Sequence, residues 1–366
     1  MGLSYLVYPG AHHTRFHHAI GCMHLMQKAV QLLRFKGTVI SKDEETALYV
    51  AILLHDIGHG AFSHALEHSI VSNINHETIS LKYMEVLNVE FKGKLSLAIE
   101  IFKGNHPKKF LYQLISSQLD MDRLDYLKRD SFYTGVAEGN INSERLITML
   151  NVIDNQLVIE EKGIYSVEKF LIARRFMYWQ VYLHKTGVVA EKLLEKVLKR
   201  AKELALKGVK LPASKSFTYF LYHQIDAGNF TKETLKTFAK LDNYDVFSSI
   251  KEWISNDDFI LSKLSESLIN RKLPKVILQN KPFTEAQIEE AKKEAQKTLK
   301  LSDEEIEYFV FHGKVCNQAY NATNDTINIL FKNGEVEDIK NASDQLNIQA
   351  LSNTVYKYFL CFPKNR

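Results

Sequence analysis

Apolar residues recur along the chain in patterns that predict helices for most of the first half. From Thr14 to Phe35, Phe16, Ile20, Met23, Met26, Val30 and Leu33 stand near helical spacing. Ala47 to Leu54 is apolar almost all round, as suits a helix buried within a domain. Ser41 and Glu44 have capping-box spacing, so this helix is predicted to begin near Ser41, and Gly58 and Gly60 to end it. Ser63 to His68 reads as one further turn of helix. Asn75 is placed to cap a helix that starts at His76-Glu77 and continues through Leu81, Met84 and Leu87. Leu150 to Ile159 predicts a short hairpin about Asp154-Asn155, and Val167 to Leu198 a long helix. Lysines at intervals of three or four between Lys192 and Lys210 describe a solvated face.

The pattern changes from about Lys272. Pro274 to Leu278 predicts a strand, Thr284 to Leu299 a polar helix and Ile306 to Phe311 another strand. Ile327 to Phe331 and Val336 to Ile339 flank Asn333-Gly334, a hairpin signal, and Val355 to Phe362 predicts a last strand. The expected fold is therefore mostly α, with a helical domain over residues 1–200, a helical connecting region over 201–271 and a smaller α+β region over 272–366.

With 366 residues, 45% of them hydrophobic, the chain has material for a sizeable core. A net charge of +4 demands neither nucleic acid nor an anionic membrane as partner. Cys22, Cys316 and Cys361 share no metal-site spacing and cannot all pair, which favours a reducing, cytoplasmic setting. No apolar run reaches transmembrane length, and the N-terminus lacks the parts of a signal peptide.

Of 14 histidines, eleven precede Lys108, so the chemistry is expected in the first third. The buried run Ala47–Leu54 delivers His55 and Asp56, a ligand pair for a hard or borderline metal that is costly to bury without one. His59, His64 and His68 follow within one short stretch. His64 and Glu67, three apart, share a side, as do Arg15 and His18. His12, His13, His17 and His24 are expected at the surface or in supporting positions. Between Ser116 and Asp130 the apolar positions Leu119, Leu124 and Leu127 are too few for an ordinary core helix, while Asp122, Asp125, Tyr126 and Arg129 fall on one side of a helix. Carboxylate, hydroxyl and guanidinium on one face suit a metal-bound phosphate ester. A salt-bridged surface helix is the bland alternative.

Four blocks in order carry a family likeness: Tyr8 to His18, His55 to His64, His76-Glu77, and Asp120 to Asp130, with a looser fifth at Arg174 to Lys185. The sequence resembles the HD-domain metal-dependent phosphohydrolases. Within them it is most similar to the deoxynucleoside triphosphate triphosphohydrolases that include the animal sterile-alpha-motif/HD enzyme. The resemblance implies a divalent metal ion (Mn, Mg, Fe, Ni or Zn) held by His18, His55, Asp56 and Asp122. It implies a catalytic set of His64, Glu67 and His76, with His64 as proton donor to the leaving 5′ oxygen and Glu67 as its orienter. Arg15 and Arg123 match phosphate contacts, Tyr126 and Asp130 deoxyribose contacts, Arg174 a triphosphate contact and Tyr182 a sugar-stacking tyrosine.

Glu67 stands where the animal enzyme has aspartate, Arg123 where a lysine is found and Tyr178 where a histidine lies near the base. The family's N-terminal helix is expected to be absent, since Met1 falls just after its position. The implied reaction is hydrolysis of a dNTP to deoxynucleoside and triphosphate. Another HD-type phosphomonoesterase or phosphodiesterase, or a nucleotide-binding regulator, is the alternative. A homo-oligomer, dimer or tetramer, is the family expectation.

Overall fold

The computed structural model describes residues 2–62, 64–67, 69–323, 325–344 and 347–364, without the side chains of His64, Glu67, Asn347 and Gln349. The fold is mostly helical. Helix α1 (Arg15–Phe35) starts at Thr14, whose side chain accepts from the His17 backbone N–H in a capping box that the His17 side chain completes. It buries His18, Cys22, Leu25, Met26, Ala29, Val30 and Leu33, a stripe at helical spacing. Phe16 and Ile20, expected in that stripe, face outward and are 72% and 40% exposed. The inner positions they would have matched belong to His18 and Cys22.

Helix α2 (Lys42–Leu54) carries the predicted Ser41/Glu44 capping box and ends at His55. Gly58 and Gly60 serve here through their lack of a side chain, since neither is among the glycines with positive φ. A Cβ on Gly58 would stand 2.1 Å from the His76 carbonyl oxygen and 2.3 Å from the Ser80 nitrogen. Ser80, fully buried, fastens the turn by donating to the His55 carbonyl (2.8 Å) and accepting from the Gly58 N–H (2.9 Å). After the short α3 (His64–Glu67), Asn75 caps α4 (His76–Glu90). Helices α5 (Ser96–Phe102) and α6 (Lys109–Ile115) complete the wall around α2.

Helix α7 (Met121–Thr134) begins at Asp120 and stops at Gly135, which takes a left-handed conformation open to glycine. It crosses α1 at Gly21, where a Cβ would lie 2.0 Å from Asp125 Oδ1. Helix α8 (Ser143–Thr148) leads into the hairpin Leu150–Ile153/Gln156–Glu160, whose turn residues Asp154 and Asn155 both have positive φ.

The long helix expected over 167–198 is instead two. Helix α9 (Ile164–Met177) and α10 (Lys185–Leu206) are separated by a π-helical turn at Tyr178–Tyr182, a form that recurs at functional sites. Helix α10 buries Leu193, Leu194, Val197, Leu198 and Ala201, and its lysine face is only partly solvated: Lys199 is exposed, but Lys196 lies over the Tyr308 and Phe311 rings and Lys202 donates to the Phe220 and His223 carbonyls.

Three strands form an antiparallel sheet in the order Lys275–Gln279, Val355–Phe362, Phe311–Asn317. The strand expected at Ile306–Phe311 begins only at Phe311. Ser302 and Glu305 cap a helical turn at Asp303–Ile306 in front of it. The hairpin Asn328–Leu330/Val336–Asp338 joins the earlier one, Asn328–Leu330 pairing in parallel with Gln156–Glu160. Residues from beyond 272 thus enter both hydrophobic cores: Ile306, Phe311 and Phe359 pack around α10, and Tyr320, Ile329 and Ile339 around α1, α2, α7 and α9.

Candidate active site

Two helix ends and one helix face meet at the site. Helix α1 brings His18, the end of α2 brings His55 and Asp56, and the first turn of α7 brings Asp122. His18 Nε2 lies 3.0 Å from Asp122 Oδ1, His55 Nε2 lies 3.5 Å from the same oxygen, and Asp56 Oδ1 lies 3.6 Å from His55 Nε2. The four residues expected as metal ligands are therefore together.

Each imidazole is oriented by its other nitrogen. His18 Nδ1 donates to Asp125 Oδ2 at 2.7 Å, and Arg129 grips both oxygens of Asp125 at 2.8 Å. His55 Nδ1 donates to the Ile52 carbonyl at 2.6 Å. A carbonyl can only accept, so Nδ1 carries the hydrogen and, in the neutral ring, Nε2 keeps a lone pair. That Nε2 is buried and has no hydrogen-bond partner among the described residues. A buried, unpartnered lone pair beside two carboxylates fits a cation, and the carboxylate–histidine arrangement at His18 is the usual outer support of such a ligand.

The electrostatics agree. Burial works against charge on Asp122, but the hydrogen bond to His18 leads in holding its carboxyl below the usual range. Burial likewise opposes ionisation of Asp56, and His59, His55 and Arg15 outweigh it. Arg15 Nη1 reaches Asp56 Oδ2 at 2.5 Å. Burial pushes the basicity of His59 down, with the Arg15 guanidinium adding to it against the opposing pull of Asp56.

His18, Asp56 and Asp122 line a cavity of about 620 Å³, within the range of small-molecule sites, with His55 buried beside them rather than in the lining. Arg15, His59, His76, Arg123, Tyr126, Asp130, Tyr178 and Tyr182 line it too. His59 and His76 stack with ring centroids 3.8 Å apart. Arg123 Nε donates to the Ser117 carbonyl, which directs its guanidinium along the cavity wall. Asp130 is held at both oxygens, by His13 Nε2 at 2.6 Å and by the Tyr182 hydroxyl at 2.7 Å. Burial first, and then Asp130, raise the Tyr182 phenol, and burial raises that of Tyr126, so both hydroxyls are neutral donors.

Not every expected residue arrives. Arg174 is absent from the cavity lining. Its Nη1 donates to the Ala319 carbonyl and its guanidinium lies 5.9 Å from the Tyr178 ring centroid. The side chains of His64 and Glu67 lie outside the described residues, although α3, which bears them, adjoins the cavity through Ala65. Supporting residues had little signal in sequence. Asp125 could be placed only on the same side as Asp122, His13 precedes any periodic pattern, and Ser80 looked like any helix residue. Cys22, whose Sγ lies 3.5 Å from His18 Nε2, had none beyond its spacing.

Residues 15–130 match the HD domain family and residues 141–215 the HD-associated region that follows it. A phosphohydrolase from Bacteroides thetaiotaomicron of known crystal structure is 51% identical, with a TM-score of 0.95 over 99% of this chain and 91% of that one. The chain belongs to the HD-domain phosphohydrolase superfamily. The uncharacterized protein YwfO of Bacillus subtilis is 35% identical over 75% of this chain and 63% of its own length. The Dictyostelium discoideum homolog of the deoxynucleoside triphosphate triphosphohydrolase SAMHD1 is 31% identical over 51% of this chain and 40% of its own. The chain thus spans under two thirds of these curated relatives. Among the described residues no helix is long and apolar enough to cross a membrane.

Proposed function

We propose that this HD-domain phosphohydrolase hydrolyses deoxynucleoside triphosphates at the α-phosphate, releasing deoxynucleoside and triphosphate. The observation that carries the reading is that one cavity is lined by His18, Asp56 and Asp122 of the cation-ready set, by Arg15 and Arg123, and by Tyr126, Asp130 and Tyr182. Cation, phosphates and sugar each have a matching surface there. His18, His55, Asp56 and Asp122 would hold a divalent ion, which when bound polarises a phosphoryl group and acidifies water.

The remaining work falls to the chain's own groups. Arg15 and Arg123 supply fixed positive charge for phosphate oxygens, with guanidinium geometry suited to paired oxygens. Asp130, already fixed from two sides, would accept from the 3′ hydroxyl. The Tyr126 and Tyr182 rings would flank the deoxyribose. Water oxygen joins the α-phosphorus as the bond to the 5′ oxygen breaks. His64 would give that oxygen its proton, with Glu67 and His76 keeping the donor in place.

The position of Arg174 favours a second reading. With its guanidinium turned to Ala319, two of the three arginines expected as phosphate contacts line the cavity, and Arg129, which lines it too, is bonded to both oxygens of Asp125; this suits a monoester or diester as well as a triphosphate. Incubating the purified chain with each dNTP and Mn²⁺ or Mg²⁺ and resolving the products separates the two. Deoxynucleoside plus triphosphate supports the first reading. Monophosphate plus pyrophosphate, or free phosphate, moves the chain to the second. The assembly expected from the family resemblance, a dimer or tetramer, is tested by light scattering on the same preparation.

A further inference from the structure

We propose that Lys357 and Asn317, on one face of the C-terminal sheet, are positioning residues for the active-site cavity. They hold the π-helical turn Tyr178–Tyr182 so that its two tyrosines face the substrate. The proposal rests on the reading of that cavity as a nucleotide site and adds to it a frame drawn from the far end of the chain.

The turn is an element that needs holding. The Leu183 N–H donates to the Tyr178 carbonyl at 2.7 Å, five residues back rather than four. Such a turn inserts a residue into the helix and is rare outside functional sites. Tyr178, Val181 and Tyr182 line the cavity, so a return to regular α-helix would shift which side chains reach it. On the cavity side the Tyr182 hydroxyl donates to Asp130 at 2.7 Å, and Gln180 Nε2 donates to Glu138 at 3.1 Å.

On the other side the holds come from the sheet. Lys357 Nζ lies 4.3 Å from the centroid of the Trp179 ring, the closest cation–ring pair among the described residues. At that separation the ring face attracts the ammonium. One helical turn earlier, Arg175 Nη1 donates to the Asn317 carbonyl at 3.2 Å and to its side-chain oxygen at 3.3 Å. Asn317 is buried.

Strand register makes the two holds one device. Val315 pairs with Lys357 and Asn317 with Val355, so Lys357 and Asn317 stand on the same face of the sheet. Arg175 and Trp179, four residues apart, likewise share a side of their helix. The strand Val355–Phe362 is bonded along both edges, which fixes the backbone that carries Lys357. Neither Lys357 nor Asn317 lines the cavity, so each acts on a substrate only through Tyr178 and Tyr182. Their effect belongs to binding rather than to the chemical step.

Calorimetric titration of the whole chain with each dNTP and Ca²⁺, beside steady-state kinetics with Mn²⁺, tests this. Lys357→Met, which keeps the stem and removes the charge, should weaken dNTP binding by about 3- to 10-fold. KM should rise in step, with kcat held within about two-fold. Lys357→Arg returns a cation to the ring and should restore both values. Trp179→Leu should match Lys357→Met, and the double variant should be no weaker than either single one, because one contact is lost in all three. Asn317→Ala, which cuts the second hold and leaves Lys357 in place, should also weaken binding. Wild-type binding that Lys357→Met and Asn317→Ala leave unaltered would keep the nucleotide reading and overturn the role of the sheet. Additive losses in the double variant, or a fall in kcat at constant KM, would overturn it as well. No dNTP binding by the wild type would overturn both.

Discussion

Asp125 and His18 are joined by a 2.7 Å hydrogen bond from Nδ1 to Oδ2, and the imidazole's opposite edge faces Asp122. The bond fixes which nitrogen carries the hydrogen and where the lone pair points. Asp125→Asn should keep the fold but lower metal affinity by about 10- to 100-fold. Calorimetric titration with Mn²⁺ reads it, and unchanged affinity would remove Asp125 from this role.

Gly21 tests the same relationship from the other side. A methyl group there would press on Asp125 Oδ1 at 2.0 Å and on Arg129 Nη2 at 2.2 Å. Gly21→Ala should cost about 1–3 kcal/mol of stability through overpacking and weaken metal binding in step with Asp125→Asn. Urea denaturation and metal titration on the same preparation check both halves.

Ser80 is the fastening of the His55–Gly58 turn. Ser80→Ala leaves a buried carbonyl and a buried N–H without their partner, at about 1–3 kcal/mol each. The loss should appear as a lowered denaturation midpoint. Hydrogen exchange should speed up at Gly58 before it does in the helices.

Tyr182→Phe deletes the hydrogen bond to Asp130 and keeps the ring. For a deoxynucleotide substrate, KM should rise by about 10-fold, the worth of one net hydrogen bond, with kcat changed less. An unaltered KM would count against a sugar contact at Asp130.

Acid should loosen the junction of α1 and α2. Glu45 accepts hydrogen bonds from Tyr49, Lys42 and Arg34. The Tyr49 bond leads, against burial, in holding its carboxyl at about 2 rather than the usual 4.5. A carboxyl held low stabilises the fold fully above its ordinary value and loses that contribution as the pH falls from about 4.5 toward 2. Glu45→Gln should flatten this part of the acid limb in urea midpoints measured between pH 7 and pH 3. An acid limb as steep as that of the wild type would assign the transition to other carboxylates.

The helices that deliver the site were legible because their signals are local. Ser41 with Glu44, Asn75 before His76 and the positive-φ pair Asp154-Asn155 each act within four residues. The four residues expected as metal ligands, which the structure brings together, were legible as types in order. What was lost depends on neighbours distant in the chain. The break between α9 and α10 turns Tyr178 and Tyr182 into the cavity, while the apolar pattern runs on through it. Phe16 and Ile20 fit the helical period yet lie outside, because the inner stripe is given to His18 and Cys22. Gly58 reads as a helix stop but is required by the closeness of the His76 and Ser80 backbone.

The parallel pairing of Asn328–Leu330 with Gln156–Glu160 sets an order on biosynthesis. The residues that line the active-site cavity have all left the ribosome long before the strand that covers the edge at Gln156–Glu160 exists. At about 5–20 residues per second, that edge waits exposed for roughly ten seconds or more. A nascent chain stalled in this interval would carry the whole catalytic sequence and still present an unpaired strand to its neighbours on the polysome.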